Sequence, residues 1–211
     1  NFDKTLPSTG TVGIAGTFVP GSATGHTVAG STVEYNGAGA QSVEPFTYHH
    51  LTISGNRGGQ TVTLAAGTIN VQGDLSATAT AVSYTSVGNT VSFNGSAPQA
   101  ASAFAFTGLT VSNPAGLTLS GVDSVKGILT LTSGNVTTSS NRLVIASTGS
   151  ISRTSGHIVG TLEYAVGTGS PSYTFEVGTS TAYVPANVAF YGVTTGGSLS
   201  AFTTNGDHPN I

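Results

Sequence analysis

Cysteine, methionine and tryptophan are absent from the 211 residues, and charge is scarce: Asp, Glu, Lys and Arg together make 6%, against roughly a quarter in an ordinary soluble domain. Without cysteine there is neither a disulfide framework nor a thiolate metal site. Five Lys and Arg residues are too few for the basic stripe that nucleic-acid binding requires. No apolar run approaches the roughly 18 residues of a membrane-spanning helix, so no membrane insertion is expected. Helix signals are missing as well, since no stretch repeats apolar residues at helical spacing over three turns. The lack of methionine even at position 1 predicts a chain processed or excised from a longer one, with any signal peptide already removed.

What fills the chain is small and polar: 30 Gly, 34 Thr and 26 Ser, or 43% of all residues. Leu, Ile, Val and Phe still supply 50 residues, about 24%, and the net charge is only −3. Disordered chains fall below roughly 20% on that count and carry high net charge, so this one is expected to fold. Its apolar residues alternate with polar ones in short runs such as TVEYNG (32–37), TVSFNG (90–95), ILTLTSG (128–134) and TLEYAV (161–166). Strands of that kind, separated by Gly, Asn, Ser and Pro, define an all-β protein.

An internal repeat sharpens the reading. Residues 32–55 align without a gap to 90–113, and nine of the 24 positions are identical, among them Asn36, Gly37 and Gln41 with Asn94, Gly95 and Gln99. A second marker, aliphatic-x-Gly-x-(Leu/Phe), recurs at Ile14, Val71 and Val125. A unit of roughly 55 residues with three or four short strands cannot bury its own faces and must stack on its neighbours. Strand centres such as Val33, Leu51 and Val71 lie 18 to 20 residues apart, the length of a solenoid turn. The predicted fold is therefore a β-solenoid (β-helix-like) of about three repeat units over 1–155, near 12–70, 71–124 and 125–155. A small, incomplete β-sandwich is expected over 156–211, where strands lengthen between Gly/Ser/Pro turns. Strand parity places Val33, Tyr35, Val91, Phe93, Leu117, Leu119, Leu129 and Leu131 in the core, with Glu34, Asp74 and Lys126 outside. Stacked copies would set Phe104 above Phe46, and Asn94 above Asn36, at the same lateral position.

The segments STVEYNGAGAQSV, GILTLTSGNVTTSSNRLVIASTGSI and the ending from Gly156 resemble the giant β-strand-repeat surface proteins exported by the type IX secretion system of gliding-type Gram-negative bacteria. The resemblance runs from Val12 to Ile211. It implies secretion, an extracellular or cell-surface location, and a part in adhesion or filament building. The sorting domain that such proteins carry at their end is not in this sequence. An open sandwich edge invites strand addition. The stretch around Val12, Ile14 and Phe18 is the candidate assembly strand, with residues 1–11, or chain beyond Ile211, completing a neighbour. Partners are accordingly a second copy joined head to tail, neighbouring domains of a longer chain, or surface glycans.

Other chemistry is thinly represented. His49 and His50 are weak candidate metal ligands, because adjacent imidazoles can bind an ion. No carboxylate lies within four residues on the same side, although Glu44 is close, and the repeat carries Thr107 and Gly108 there instead, which favours a solvated turn. Asp123, Lys126 and Arg142 form the best candidate catalytic cluster, but ordinary surface charge explains them, and with eight acids in all the paired carboxylates of a glycosidase are not evident. No catalytic residue and no cofactor are assigned, and the chain is read as a non-enzyme. Tyr35, Phe46, Tyr48, Phe93, Phe104 and Phe106 could form a sugar-stacking platform, the aromatic part of the alternative binding-module reading, but their recurrence at repeat-equivalent positions favours core packing. Outward Thr52, Thr63, Thr110, Thr118, Thr130 and Thr132 support the alternative reading of a polysaccharide- or ice-binding face. Ser124, in Asp-Ser-Val, fits the O-glycosylation signal that the resemblance brings with it, and Asn94 and Asn135 head N-glycosylation sequons.

Overall fold

Alternation of apolar and polar residues gives strands that present one face to a core, and short strands ended by glycine and asparagine turn the chain every few residues. The computed structural model describes residues 6–21, 29–86 and 88–204, and none of them is helical. The chain enters with β1 (Thr11–Ile14) and then winds in three-strand turns. The first turn is β2 (Thr32–Tyr35), β3 (Gln41–Val43) and β4 (Thr47–Tyr48); the next is β5 (His50–Ile53), β6 (Thr61–Leu64) and β7 (Gly67–Val71). β8 (Leu75–Ala77), β9 (Ser83–Ser86) and β10 (Asn89–Phe93) follow, then β11 (Gln99–Ala101), β12 (Ala105–Phe106) and β13 (Gly108–Ser112), then β14 (Leu117–Leu119), β15 (Asp123–Val125) and β16 (Ile128–Ser133).

Each strand pairs in parallel with its counterpart one turn away, so the turns stack into three faces. The first face runs β1, β2, β5, β8, β11, β14; the third runs β4, β7, β10, β13, β16. On the second face β3, β6 and β9 form one ladder, and β12 and β15 belong to another. One turn takes from 18 residues, Thr32 to His50, up to 26, Leu75 to Ala101. The ten-residue β17 (Val136–Ile145) spans a corner: its first half pairs with β14, its second with β15, and Ser139 takes a left-handed φ of 51° between them. That bend joins the first and second faces into one twelve-stranded sheet.

The interior is built by inward ladders, for example Val12, Val33, Leu51, Leu75 on the first face and Ile69, Val91, Leu109, Leu129, Ile151 on the third. One apolar cluster runs from Leu6 to Val177. All eight residues assigned to the core by parity are at most 1% exposed, while Glu34 and Asp74 are half-exposed and Lys126 is exposed.

The solenoid does not stop near 155. β18 (Ser150–Arg153) extends the third face, and β19 (Ile158–Val166) pairs in parallel along both halves of β17. Past β20 (Ser172–Phe175), β21 (Val177–Gly178) adds in parallel to β19. The boundary expected at 155/156 thus falls inside a continuous sheet, because Ile158, Leu162 and Tyr164 carry on the same inward alternation. Among the described residues antiparallel pairing enters where β22 (Ala186–Ala189) pairs with β20 and β23 (Gly197–Ala201) folds back on β19, with single antiparallel bridges at Gly169–Val193 and Gly178–Tyr183. These are a two-stranded ribbon and a single added strand rather than two packed sheets.

The 24-residue copies also differ from expectation in placement. β2 belongs to the first face and β10 to the third, since 58 residues is two turns plus two further strands. Phe46, before β4, and Phe104, before β12, therefore lie on different faces and not one above the other. What the repeat preserves is local. In the first copy Tyr48 packs edge-on at 6.3 Å from Tyr35 and 5.3 Å from Phe46; in the second Phe106 packs at 6.4 Å from Phe93 and 5.1 Å from Phe104. The glutamine is reused in the same way. Gln41 accepts a hydrogen bond from the Gly37 amide and donates to the Ile14 and Gly16 carbonyls of the turn before. Gln99 accepts from Gly95 and donates to the Val71 and Gly73 carbonyls.

Candidate functional site

The two histidines stand beside β5 on the first face. His50 follows Thr32 outward in the ladder, and its Nδ1 accepts the Asp74 amide at 2.9 Å with the Asp74 carboxylate 3.6 Å away. His49 meets the His50 ring edge-on at 4.5 Å, and burial together with that neighbour holds it below the usual imidazole range. The His50 lone pair is thereby engaged by protein. Among the described residues no group of three or more His, Asp or Glu side chains is arranged to hold a metal ion. The arrangement is a polar clasp between adjacent turns.

Asp123, Lys126 and Arg142 do not form a cluster, and Asp123 is not a surface charge. It occupies an inward position on β15, beside Phe104 and in register with Leu143, and is fully buried. Its Oδ1 accepts the Phe104 amide at 2.9 Å and its Oδ2 has no partner. Burial pushes the carboxyl up to about 7, against the opposing effect of the Phe104 hydrogen bond. Lys126 lies on the exposed rim, and Arg142 is on the outer surface, 3.2 Å from Glu163. Where β9 and β12 fail to pair, a groove of about 310 Å³ opens between them, floored by Leu64, Tyr84 and Phe104 and rimmed by Thr85, Thr107 and Lys126. The Tyr84 and Phe104 rings meet edge-on at 5.0 Å and continue the inward ladder across the gap.

The other positions are scattered. Ser124 points outward from β15, half-exposed, between paired neighbours Ala105 and Val144. Asn94 is exposed at a corner, and Asn135 accepts the His157 amide. Thr52 and Thr118 are on the first face, Thr63 on the second, and Thr110 and Thr130 on the third. The threonines therefore do not make one flat array.

The two ends of the solenoid are the remaining candidates. At one end β1, β3 and β4 each have a strand on a single side among the described residues. Val12, the last member of its inward ladder, is only partly buried, whereas Ile14 is 8% exposed and Phe18 packs edge-on against Phe46 at 5.6 Å. The assembly stretch is thus seated on its own solenoid and presents its outer edge. At the other end β18 and β23 have a strand on one side only among the described residues, and Ile151 closes its ladder half-covered. β21 is covered on its outer edge by the returning chain, through the Gly178–Tyr183 bridge and the Val184 amide on the Val177 carbonyl at 2.9 Å. Beyond them Val184, Phe202 and Tyr191 are 49%, 64% and 97% exposed. Arg153 stacks 3.6 Å over the Tyr183 ring, whose hydroxyl donates to Glu176.

Sequence patterning missed Arg57. It is fully buried in the turn after β5, donating to the Gln41 side chain and to the Tyr35 and Gly39 carbonyls, with no acid in an ion pair among the described residues. The usable signal was Gln41 itself, one of the nine repeated identities. Comparison with protein-family models, with curated proteins and with solved structures gave no match.

Proposed function

We propose that this chain is a secreted, non-enzymatic structural protein that builds or decorates a bacterial cell-surface fibre or adhesin by end-to-end association of solenoids. The observation that supports the reading is the state of the two ends: β1, β3 and β4 at one and β18 at the other have a parallel edge unpaired among the described residues, backed by apolar ladders whose last members, Val12 and Ile151, are left half-covered. Exposed edges of that kind template further strands, and stacked repeats need polar caps to stay apart. A contact between unlike ends is heterologous and propagates into a filament unless the rotation closes it. The partner is a second copy or a neighbouring domain of a longer chain. Scarce charge, absent cysteine and abundant Thr, Ser and Gly fit the extracellular setting.

Val12→Lys tests this. An inward-pointing lysine on an edge strand is a common block to edge-to-edge pairing, and its stem has room to reach solvent from a half-covered site. In sedimentation velocity over a range of concentrations, the unaltered chain should shift to elongated oligomers. The variant should remain monomeric with its circular dichroism unchanged. Equal assembly by both would refute stacking through β1.

A further inference from the structure

The repeated corners carry a chemical hazard together with a device that suppresses it. Asn36-Gly37 and Asn94-Gly95 occupy equivalent places, each just after a TVxΦ strand. In an Asn-Gly pair the glycine nitrogen can lose its proton and attack the asparagine Cγ. A carbon–nitrogen bond forms, ammonia leaves, and water opens the resulting succinimide to aspartate or isoaspartate. Glycine makes the reaction fast because no Cβ shields its nitrogen.

Glycine cannot be exchanged here. A Cβ on Gly37 would stand 2.3 Å from the Ala15 carbonyl oxygen, and one on Gly95 would stand 2.1 Å from that of Gln72. Close stacking of the turns therefore imposes the glycine that makes each asparagine vulnerable. Both asparagine side chains are exposed, so water has access and burial gives no shelter. The glycine nitrogens, however, are engaged in the same way in both copies: Gly37 donates to Gln41 Oε1 at 3.0 Å, and Gly95 donates to Gln99 Oε1 at 3.0 Å. Each asparagine amide is fixed in turn, Asn36 to the Ile14 carbonyl at 3.1 Å and Asn94 to that of Val71 at 3.0 Å.

We propose that Gln41 and Gln99 guard two latent deamidation sites, Asn36 and Asn94, by holding the attacking glycine nitrogens as hydrogen-bond donors. The acceptor bond raises the cost of removing the proton and keeps the nitrogen turned towards the glutamine, away from Cγ. The shared Gly and Gln of the two copies are then partly a demand of covalent durability, a benefit that rests on the extracellular role proposed above.

The test uses the full chain aged in warm, mildly alkaline buffer, with peptide mapping by mass and isoaspartate quantification. Gln99→Ala should speed deamidation at Asn94 roughly tenfold, equivalent to about 1.4 kcal/mol of barrier, while Asn36 in the same molecule keeps its slow rate. Gln99→Glu should stay near the unaltered rate, because its carboxylate still accepts the Gly95 amide although it loses both donations to carbonyls. An unchanged Asn94 rate in Gln99→Ala overturns the proposal. Equal acceleration in Gln99→Ala and Gln99→Glu also overturns it, because the glutamine would then act only by bracing the corner. So does a parallel rise at Asn36, which would mean general loosening.

Discussion

Raising the pH from about 4 to about 8 should weaken this protein by up to about 4 kcal/mol, and Asp123→Asn should remove most of that dependence. The carboxyl sits in an inward ladder between Phe104 and Leu143, fully buried and free of ion pairs among the described residues. Burial therefore favours its neutral form and pushes it up to about 7, while the unfolded chain keeps the ordinary value of 3.8. Below the unfolded value both states hold the proton and stability is complete. Between the two values unfolding releases a proton, so stability falls as pH rises. Above the folded value the loss is complete and the curve is flat. About three units at about 1.36 kcal/mol each set the upper limit. Asparagine keeps an acceptor for the Phe104 amide and cannot ionise, so the variant should be the more stable protein at pH 8 and not at pH 4. Urea titrations at several pH values measure this directly. A flat profile for the unaltered chain would show that Asp123 is hydrated or paired in the folded state.

Tyr35→Phe should destabilise the unaltered protein yet stabilise the Tyr48→Phe variant. The two hydroxyls meet at 2.9 Å in the core, and the Tyr48 hydroxyl donates a hydrogen bond to the Glu44 carbonyl at 2.9 Å. Tyr48→Phe strands the Tyr35 hydroxyl and that carbonyl, a loss of about 1–3 kcal/mol. Removing the stranded hydroxyl as well recovers about 1 kcal/mol, because a buried donor without a partner costs more than no donor at all. The second copy already carries the doubly replaced arrangement, Phe93 with Phe106, at nearly the same ring separation. A double-mutant cycle checks the sign. Additive losses would mean that the hydroxyls do not depend on each other.

The all-β class, the solenoid and the inward residues were legible because period-2 alternation is a direct record of which face is buried. Val33, Tyr35, Phe93 and Leu131 needed nothing beyond that pattern. The placement of the copies was not legible. Similarity at a 58-residue offset records a shared local corner, Asn-Gly-x-x-x-Gln, and that corner can be mounted on any of three equivalent faces. Asp123 was misread because a charged residue in a polar sequence looks solvated, although its parity with Val125 on β15 pointed inward. Arg57 lies in an Asn-Arg-Gly-Gly turn with no alternation to mark it, and its burial follows from contacts with a corner 16 residues earlier. The expected break at 155 came from a change in turn composition, while the parity of Ile158, Leu162 and Tyr164 had not changed.

End-to-end stacking predicts a fibre in which strands run across the long axis and the turn spacing continues through each junction. X-ray diffraction from aligned assemblies measures that arrangement. The account predicts a sharp meridional reflection near about 4.8 Å, the spacing of paired strands along the solenoid axis, from fibres one solenoid wide. Assemblies that place this reflection on the equator, or a chain that stays monomeric at every concentration, would contradict it.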